Sequence, residues 1–178
     1  MSVREENLNV ELASLLVERG LGATAEVKLH IGKQRQLPDV FMLVNGVNVI
    51  LEGKYDSPSA RENLKDQCEQ RIDKGLAEVV VGVVYDADQI NKGVLIANQK
   101  QIRERLKKMP LVIKIWKLGQ ENGAESSEDL GWNTVTLDEL SSAIRDAANN
   151  VANEDVLAKA VEKIENCVDR MASSLLQL

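Results

Sequence analysis

Asp39, Glu52 and Lys54 are the residues of this chain whose types and spacing best suit chemistry. They bracket two runs rich in Val, Ile, Leu and Phe, 40–44 and 47–51, joined by Asn45-Gly46. That dipeptide favours a type I′ turn between antiparallel strands. A two-residue turn sets the register: Val44 faces Val47, Phe41 faces Ile50, and Asp39 comes opposite Glu52. Opposed residues share a face with Cβ atoms roughly 4.5–5.5 Å apart, and Lys54, two positions on, returns to that face. Two carboxylates so close repel each other and are costly to take out of water. A divalent cation resolves the conflict, because hard oxygen donors from one or two carboxylates suit Mg²⁺. An ammonium beside metal-bound water would orient that water or stabilise developing negative charge. The same three residues also fit an ordinary ion pair at a hairpin mouth. In either case, removing one carboxylate is expected to relieve repulsion and leave the chain folded.

The elements that must hold these residues are readable in outline. Ser2 to Glu5 has capping-box spacing, and Leu8, Leu12, Leu15 and Leu16 form a helical stripe ending near Gly20 and Gly22, with Glu11 at its border. Residues 23–31 alternate as one strand with Glu26, Lys28 and His30 on the polar side; a lone His there reads as an exposed strand residue, not a ligand. Residues 32–36 form a polar connector whose Lys33 and Arg35 either touch a phosphate backbone or are simply solvated. Beyond the hairpin, Ser57 or Ser59 caps a helix that runs to about Lys74 and stops at Gly75. Ala60, Leu64, Cys68 and Ile72 mark its buried stripe, and Gln67 and Arg71 fall in the same sector. Polar groups on a core-facing sector need partners, here the carboxylates or a phosphate, unless they reach solvent from the flank.

Glu78 to Tyr85 is a β-branched run suited to a central strand buried on both faces. Asp86 and Asp88 read as turn and cap residues. A helix with a basic end follows over about 94–108, halted by Pro110, and residues 111–117 form another strand. After a polar loop over 119–131, one helix starts near Thr136 and runs to about Val151. A second, from about Glu154, carries Leu157, Val161, Ile164, Val168, Met171, Leu175 and Leu178 as a heptad seam.

Pro38-Asp39, twelve residues, then Glu52-Gly53-Lys54, resembles the signature of the PD-(D/E)xK nuclease superfamily, most of all the nuclease domains of type I restriction subunits. The resemblance spans roughly residues 5–117. It implies an α/β fold with a restriction-endonuclease-like αβββαβ core and mixed sheet, here with a C-terminal helical extension. It implies phosphodiester hydrolysis, with Asp39, Glu52 and the Gly53 main-chain carbonyl holding Mg²⁺ (Mn²⁺ as substitute) and Lys54 serving the attacking water. Family members commonly carry a Gln on the helix after the motif, often as QxxxY, which makes Gln67 a catalytic candidate. This chain has Arg71 in the Tyr position. A Glu on the first helix often joins the metal site through water, a role that would fall to Glu11. Lys33, Arg35 and Arg71 are the candidate DNA contacts.

Composition bounds the reading. Hydrophobic residues at 44% and charged residues at 28% suit a globular chain with a real core. No apolar run is long enough to span a bilayer and no secretory leader is apparent, so no membrane and a cytoplasmic location are expected. Cys68 and Cys167 lack metal-ligand spacing. The net charge of −6 is unevenly spread: residues 1–117 hold 18 Lys and Arg against 16 Asp and Glu, residues 118–178 hold 4 against 12. The expected organisation is a nuclease core over 1–117, an acidic loop over 118–135, and a helical extension over 136–178 leading into a further domain. So weak a basic charge suits a Mg²⁺-dependent DNA endonuclease domain of a restriction or DNA-defence system, with other domains or subunits reading the sequence. The alternative is a catalytically silent nuclease-like binding or assembly module that uses the C-terminal heptad helix; under either reading that helix is a candidate homodimer contact.

Overall fold

Asn45 and Gly46 both take positive φ, 52° and 84°, as a type I′ turn requires, and the strands they join pair in the register the turn dictates. A computed structural model describes residues 3–26, 29–31, 34–91, 99–118, 131–154 and 158, with backbone alone for 29–31 and 34–36. The strands of the hairpin are β4 (Val40–Val44) and β5 (Val47–Tyr55), running from Val44 opposite Val47 to Val40 opposite Leu51. They belong to a six-stranded mixed sheet that also contains β1 (Ala23–Ala25), β6 (Val79–Tyr85), β7 (Leu111–Lys117) and β8 (Asn133–Val135), in the order β1-β4-β5-β6-β7-β8. Among the described strands only β5 and β6 pair in parallel, and α2 (Ala60–Asp73) makes the crossover between them. A separate two-stranded ribbon joins β2 (Leu29–Ile31) to β3 (Gln34–Gln36).

The sheet is covered on both faces. On one lie α1 (Glu5–Glu18), α4 (Gln99–Leu106) and a helix over residues 137–154, here α5. Their Leu8, Leu12, Leu15, Leu16, Ile102, Leu140, Ile144 and Ala148 close over Val49, Leu51, Val81 and Val83. On the other, α2 packs with Cys68 on Ile50, Val80 and Trp116. All seven residues of β6 are buried, so its β-branched composition answers to burial on both sides. The short α3 (Ala87–Asn91) starts where Asp86 Oδ1 accepts the amides of Asp88 and Gln89, a side-chain cap. Among the described residues no helix is long and apolar enough to cross a membrane.

Four expectations need correction. The single strand over 23–31 is broken at Glu26, whose φ of 56° turns the chain away while its amide donates to the Asp39 carbonyl. The connector over 32–36 contains β3. The N-cap of α1 is Arg4, whose side chain has no acceptor and makes no cap bond, and Glu5 accepts the Tyr55 amide instead of closing a capping box. The core does not close at residue 117: β8 extends the sheet, and Leu137, Leu140, Ile144 and Val151 of α5 are part of the main core. Thr136 and Glu139 form the capping box of α5, with Glu139 Oε2 accepting the Thr136 amide at 2.7 Å and Thr136 Oγ1 accepting the Glu139 amide at 3.3 Å. The heptad seam from Leu157 to Leu178 lies outside the described residues, as do Lys33 and most of the acidic loop.

Candidate active site

The ladder that ends at Val40 and Leu51 carries Asp39 to the level of Glu52, at the end of the hairpin away from its turn. Asp39 is half-buried. Its Oδ2 accepts the Gly53 amide at 2.8 Å, which ties the residue before β4 to the motif on β5. Glu52 is fully buried, on the sheet face that α2 covers. Alternation along β5 returns Lys54, half-buried, to that face one pleat further on.

Gln67 and Arg71 of α2 both converge on Glu52. Gln67 donates through Nε2 to Oε2 at 2.6 Å, and Arg71 donates through Nε to Oε1 at 2.7 Å. Arg71 also donates through Nη2 to the Leu37 carbonyl at 3.3 Å, so one guanidinium touches the segment before Asp39 and the carboxylate opposite it. At 9% exposed and committed to these acceptors, Arg71 is not presented to an outside phosphate, which corrects its expected role as a DNA contact. Arg35 lies on β3 opposite His30, in the ribbon apart from the main sheet.

Burial pushes both carboxylates up. Glu52 is raised to about 7, first by loss of solvent and then by the charge of Asp39, with Arg71 and Lys54 pulling the other way. Asp39 is raised by burial and by Glu26 and Glu5, opposed by the Gly53 amide and by Lys54. For Glu52 the sign of the linkage is clear. The folded chain holds a proton that the unfolded chain releases near 4.5, so between those values folding takes up a proton and stability falls as pH rises. Below about 4.5 the penalty is absent, and above about 7 it is full, on the order of 3 kcal/mol. Metal-free protein should therefore lose melting temperature between about pH 5 and pH 8. Glu52→Gln, whose carboxamide keeps an acceptor for Arg71, should flatten that slope; an equal slope in the variant would remove Glu52 as its cause.

Gly53 is the tightest point of the site. A Cβ there would lie 2.7 Å from Tyr85 Cε2 and closer still to Asn9 Oδ1. Tyr85 donates its hydroxyl to Asn9 Oδ1 at 2.8 Å, and both are buried. Only a residue without a side chain lets the strand sit against that pair while its amide reaches Asp39. Gly53→Ala should cost about 1–3 kcal/mol of overpacking. That corresponds to a fall in melting temperature of roughly 2–12 °C, read by calorimetry.

Sequence reasoning missed Asn9, Tyr85 and Glu5. Asn9 had a signal, an amide beside Leu8 and Leu12 in the buried stripe of α1. Glu5 accepts the Tyr55 amide at 2.8 Å, and it is the helix carboxylate whose charge reaches Asp39. Glu11, expected in that position, is buried on the α4 side with Oε2 3.5 Å from Arg103 Nη1. The helix turns it there because residues 5 and 11 point about 120° apart on a 100° wheel. The basic end of α4 is likewise internal in its use: Arg103 pairs with Glu18, and Arg105 donates to the carbonyls of Gln89 and Ile90.

The donor set suits a hard divalent cation. Among the described residues no group of three or more His, Cys, Asp or Glu side chains gathers, so the protein would offer the two carboxylates and main-chain oxygen. Mg²⁺ is commonly held by one or two carboxylates with water completing the octahedron. Each Glu52 oxygen accepts one hydrogen bond and keeps a second lone pair. The chain matches no family model and shows no significant similarity to a curated protein.

Proposed function

We propose that this chain is the Mg²⁺-dependent DNA endonuclease domain of a restriction or DNA-defence system, with further domains or subunits supplying sequence recognition. The observation that carries the reading is the pair Asp39 and Glu52, held level across a hairpin in a setting that disfavours both charges, with Lys54 on the Glu52 face. The run α1, β1, β4, β5, α2, β6 is compatible with an αβββαβ core of the restriction-endonuclease type. Asp39, Glu52 and the Gly53 carbonyl would hold the cation, and Mn²⁺ would substitute. A bound Mg²⁺ supplies charge neutralisation at the scissile phosphate and a more acidic water. Lys54 would hold that water by its ammonium and steady the negative charge that develops at phosphorus. Gln67 and Arg71 fix the Glu52 carboxylate in one rotamer. Gln67→Ala should lower cleavage by about tenfold or more, worth roughly 1.4 kcal/mol, with little loss of fold; unchanged cleavage would remove Gln67 from the machinery.

One observation favours a second reading. Arg71 already gives the buried Glu52 charge a partner, as a nuclease-like module kept for binding or assembly would need. Supercoiled-plasmid nicking with Mg²⁺ or Mn²⁺, run beside melting curves with the same ions, separates the two. Nicking together with ion-induced stabilisation supports the nuclease. The absence of both supports the silent module.

A further inference from the structure

Both tryptophans of the chain stand on the Glu52 face, a short way across the sheet. The ladders align Glu52 with Gly82 and Gly82 with Lys114, and one step past the pair Ile113–Asn133 brings Trp132 beside Lys114. Glu52, Gly82, Lys114 and Trp132 thus form one cross-strand row, with Lys114 about two strand spacings, roughly 10 Å, from Glu52. Gly82 leaves room for the indoles: a Cβ there would lie 3.0 Å from Trp116 Cζ3 and 3.3 Å from Trp132 Cη2. The rings meet edge to face at 5.9 Å between centroids. Over them stand two cations, Arg61 5.9 Å from the Trp132 centroid and Lys114 Nζ 5.6 Å from that of Trp116. Trp116 is buried, whereas Trp132, Arg61 and Lys114 are each partly exposed.

We propose that Trp132, Arg61 and Lys114 form the surface on which an unpaired nucleic-acid strand lies as it leaves the carboxylate pair, with phosphates at the two cations and a base against the Trp132 indole. The inference rests on the nuclease reading for its direction, from acidic centre to cationic flank. The chemistry is that of single-strand surfaces, a cationic track interleaved with an aromatic platform that stacks any base. Aromatic residues make up only 3% of the chain, yet the two largest are placed here together with the two cations. A base inside a duplex has no free face for the indole, so the occupant is a single strand and not intact double-stranded DNA.

The test uses Lys54→Met protein with Mg²⁺ and a short fluorescein-labelled single strand, following anisotropy and tryptophan emission. Emission should change on saturation, and Trp132→Phe should abolish that change, since Trp116 is shielded. Arg61→Gln and Lys114→Gln should each weaken binding about three- to tenfold and lower the log–log salt slope by about 0.7, the value for one phosphate contact on a single strand. Trp132→Leu should weaken it about tenfold with the salt slope unchanged. Melting curves of each variant, and rescue by Arg61→Lys and Lys114→Arg, separate lost contacts from lost fold. No detectable binding, unaltered affinity and slope in both Gln variants, or equal affinity for duplex of the same sequence would overturn the surface. Cleavage by the unaltered chain with indifferent variants leaves the nuclease reading standing and removes only the surface. Strand binding with these dependences but no metal-dependent cleavage does the reverse.

Discussion

Asp39→Ala protein should cleave no DNA in the presence of Mg²⁺ and should show no Mg²⁺-induced rise in melting temperature. In the unaltered chain, Mg²⁺ at a hundred times its dissociation constant adds about 2.7 kcal/mol to stability by mass action. For a chain of this length that is roughly 5–10 °C, and the variant should lose all of it. Cleavage should fall at least about a thousandfold, because the cation must be placed before water or phosphate can be. The metal-free Asp39→Ala fold should survive, since the substitution removes a charge that pushes Glu52 up and sacrifices only the acceptor of the Gly53 amide. Glu52 is different. Its removal was expected to relieve repulsion, but Glu52→Ala strands the Arg71 guanidinium in a buried site and should cost about 3–5 kcal/mol even without metal. Glu52→Gln keeps an acceptor and is the cleaner probe of metal binding. Asp39→Ala protein that still cleaves with Mg²⁺ would sink the assignment.

Lys54→Met should divide the two properties that Asp39→Ala removes together. An ammonium is no ligand for a cation, so the Mg²⁺-induced rise in melting temperature should persist. Its size should change little, because losing the Lys54 charge relieves repulsion of the metal but also raises both carboxylates and so their competition with protons. Cleavage should fall by about a hundredfold to a thousandfold, the range for removing one positioned donor from a developing oxyanion. Methionine keeps the length of the stem beside Val84, so the half-buried strand end should pack as before. Loss of the metal response along with cleavage would make Lys54 a structural residue. Retention of full cleavage would take it out of the mechanism.

The hairpin was legible because its information is local. A two-residue turn leaves one register, period-two alternation puts Glu52 and Lys54 on one face, and neither depends on the rest of the chain. β6 was legible for the same kind of reason, since a run of Val, interrupted only by Gly82, cannot stand in water on either face. The partners of Gln67 and Arg71 were half legible. A helical wheel turns both toward the core, but which group they meet depends on how α2 crosses β5. Tertiary packing alone decided that Arg71 spans Glu52 and the Leu37 carbonyl, that Glu5 and not Glu11 is the carboxylate of α1 whose charge reaches Asp39, and that Asn9 and Tyr85 leave room for nothing larger than Gly53. It also decided that Glu26 breaks the first strand and that β8 and α5 complete the sheet and core. Each of these joins segments far apart in the chain, and loop closure and helix docking set such distances through contacts that no local pattern encodes.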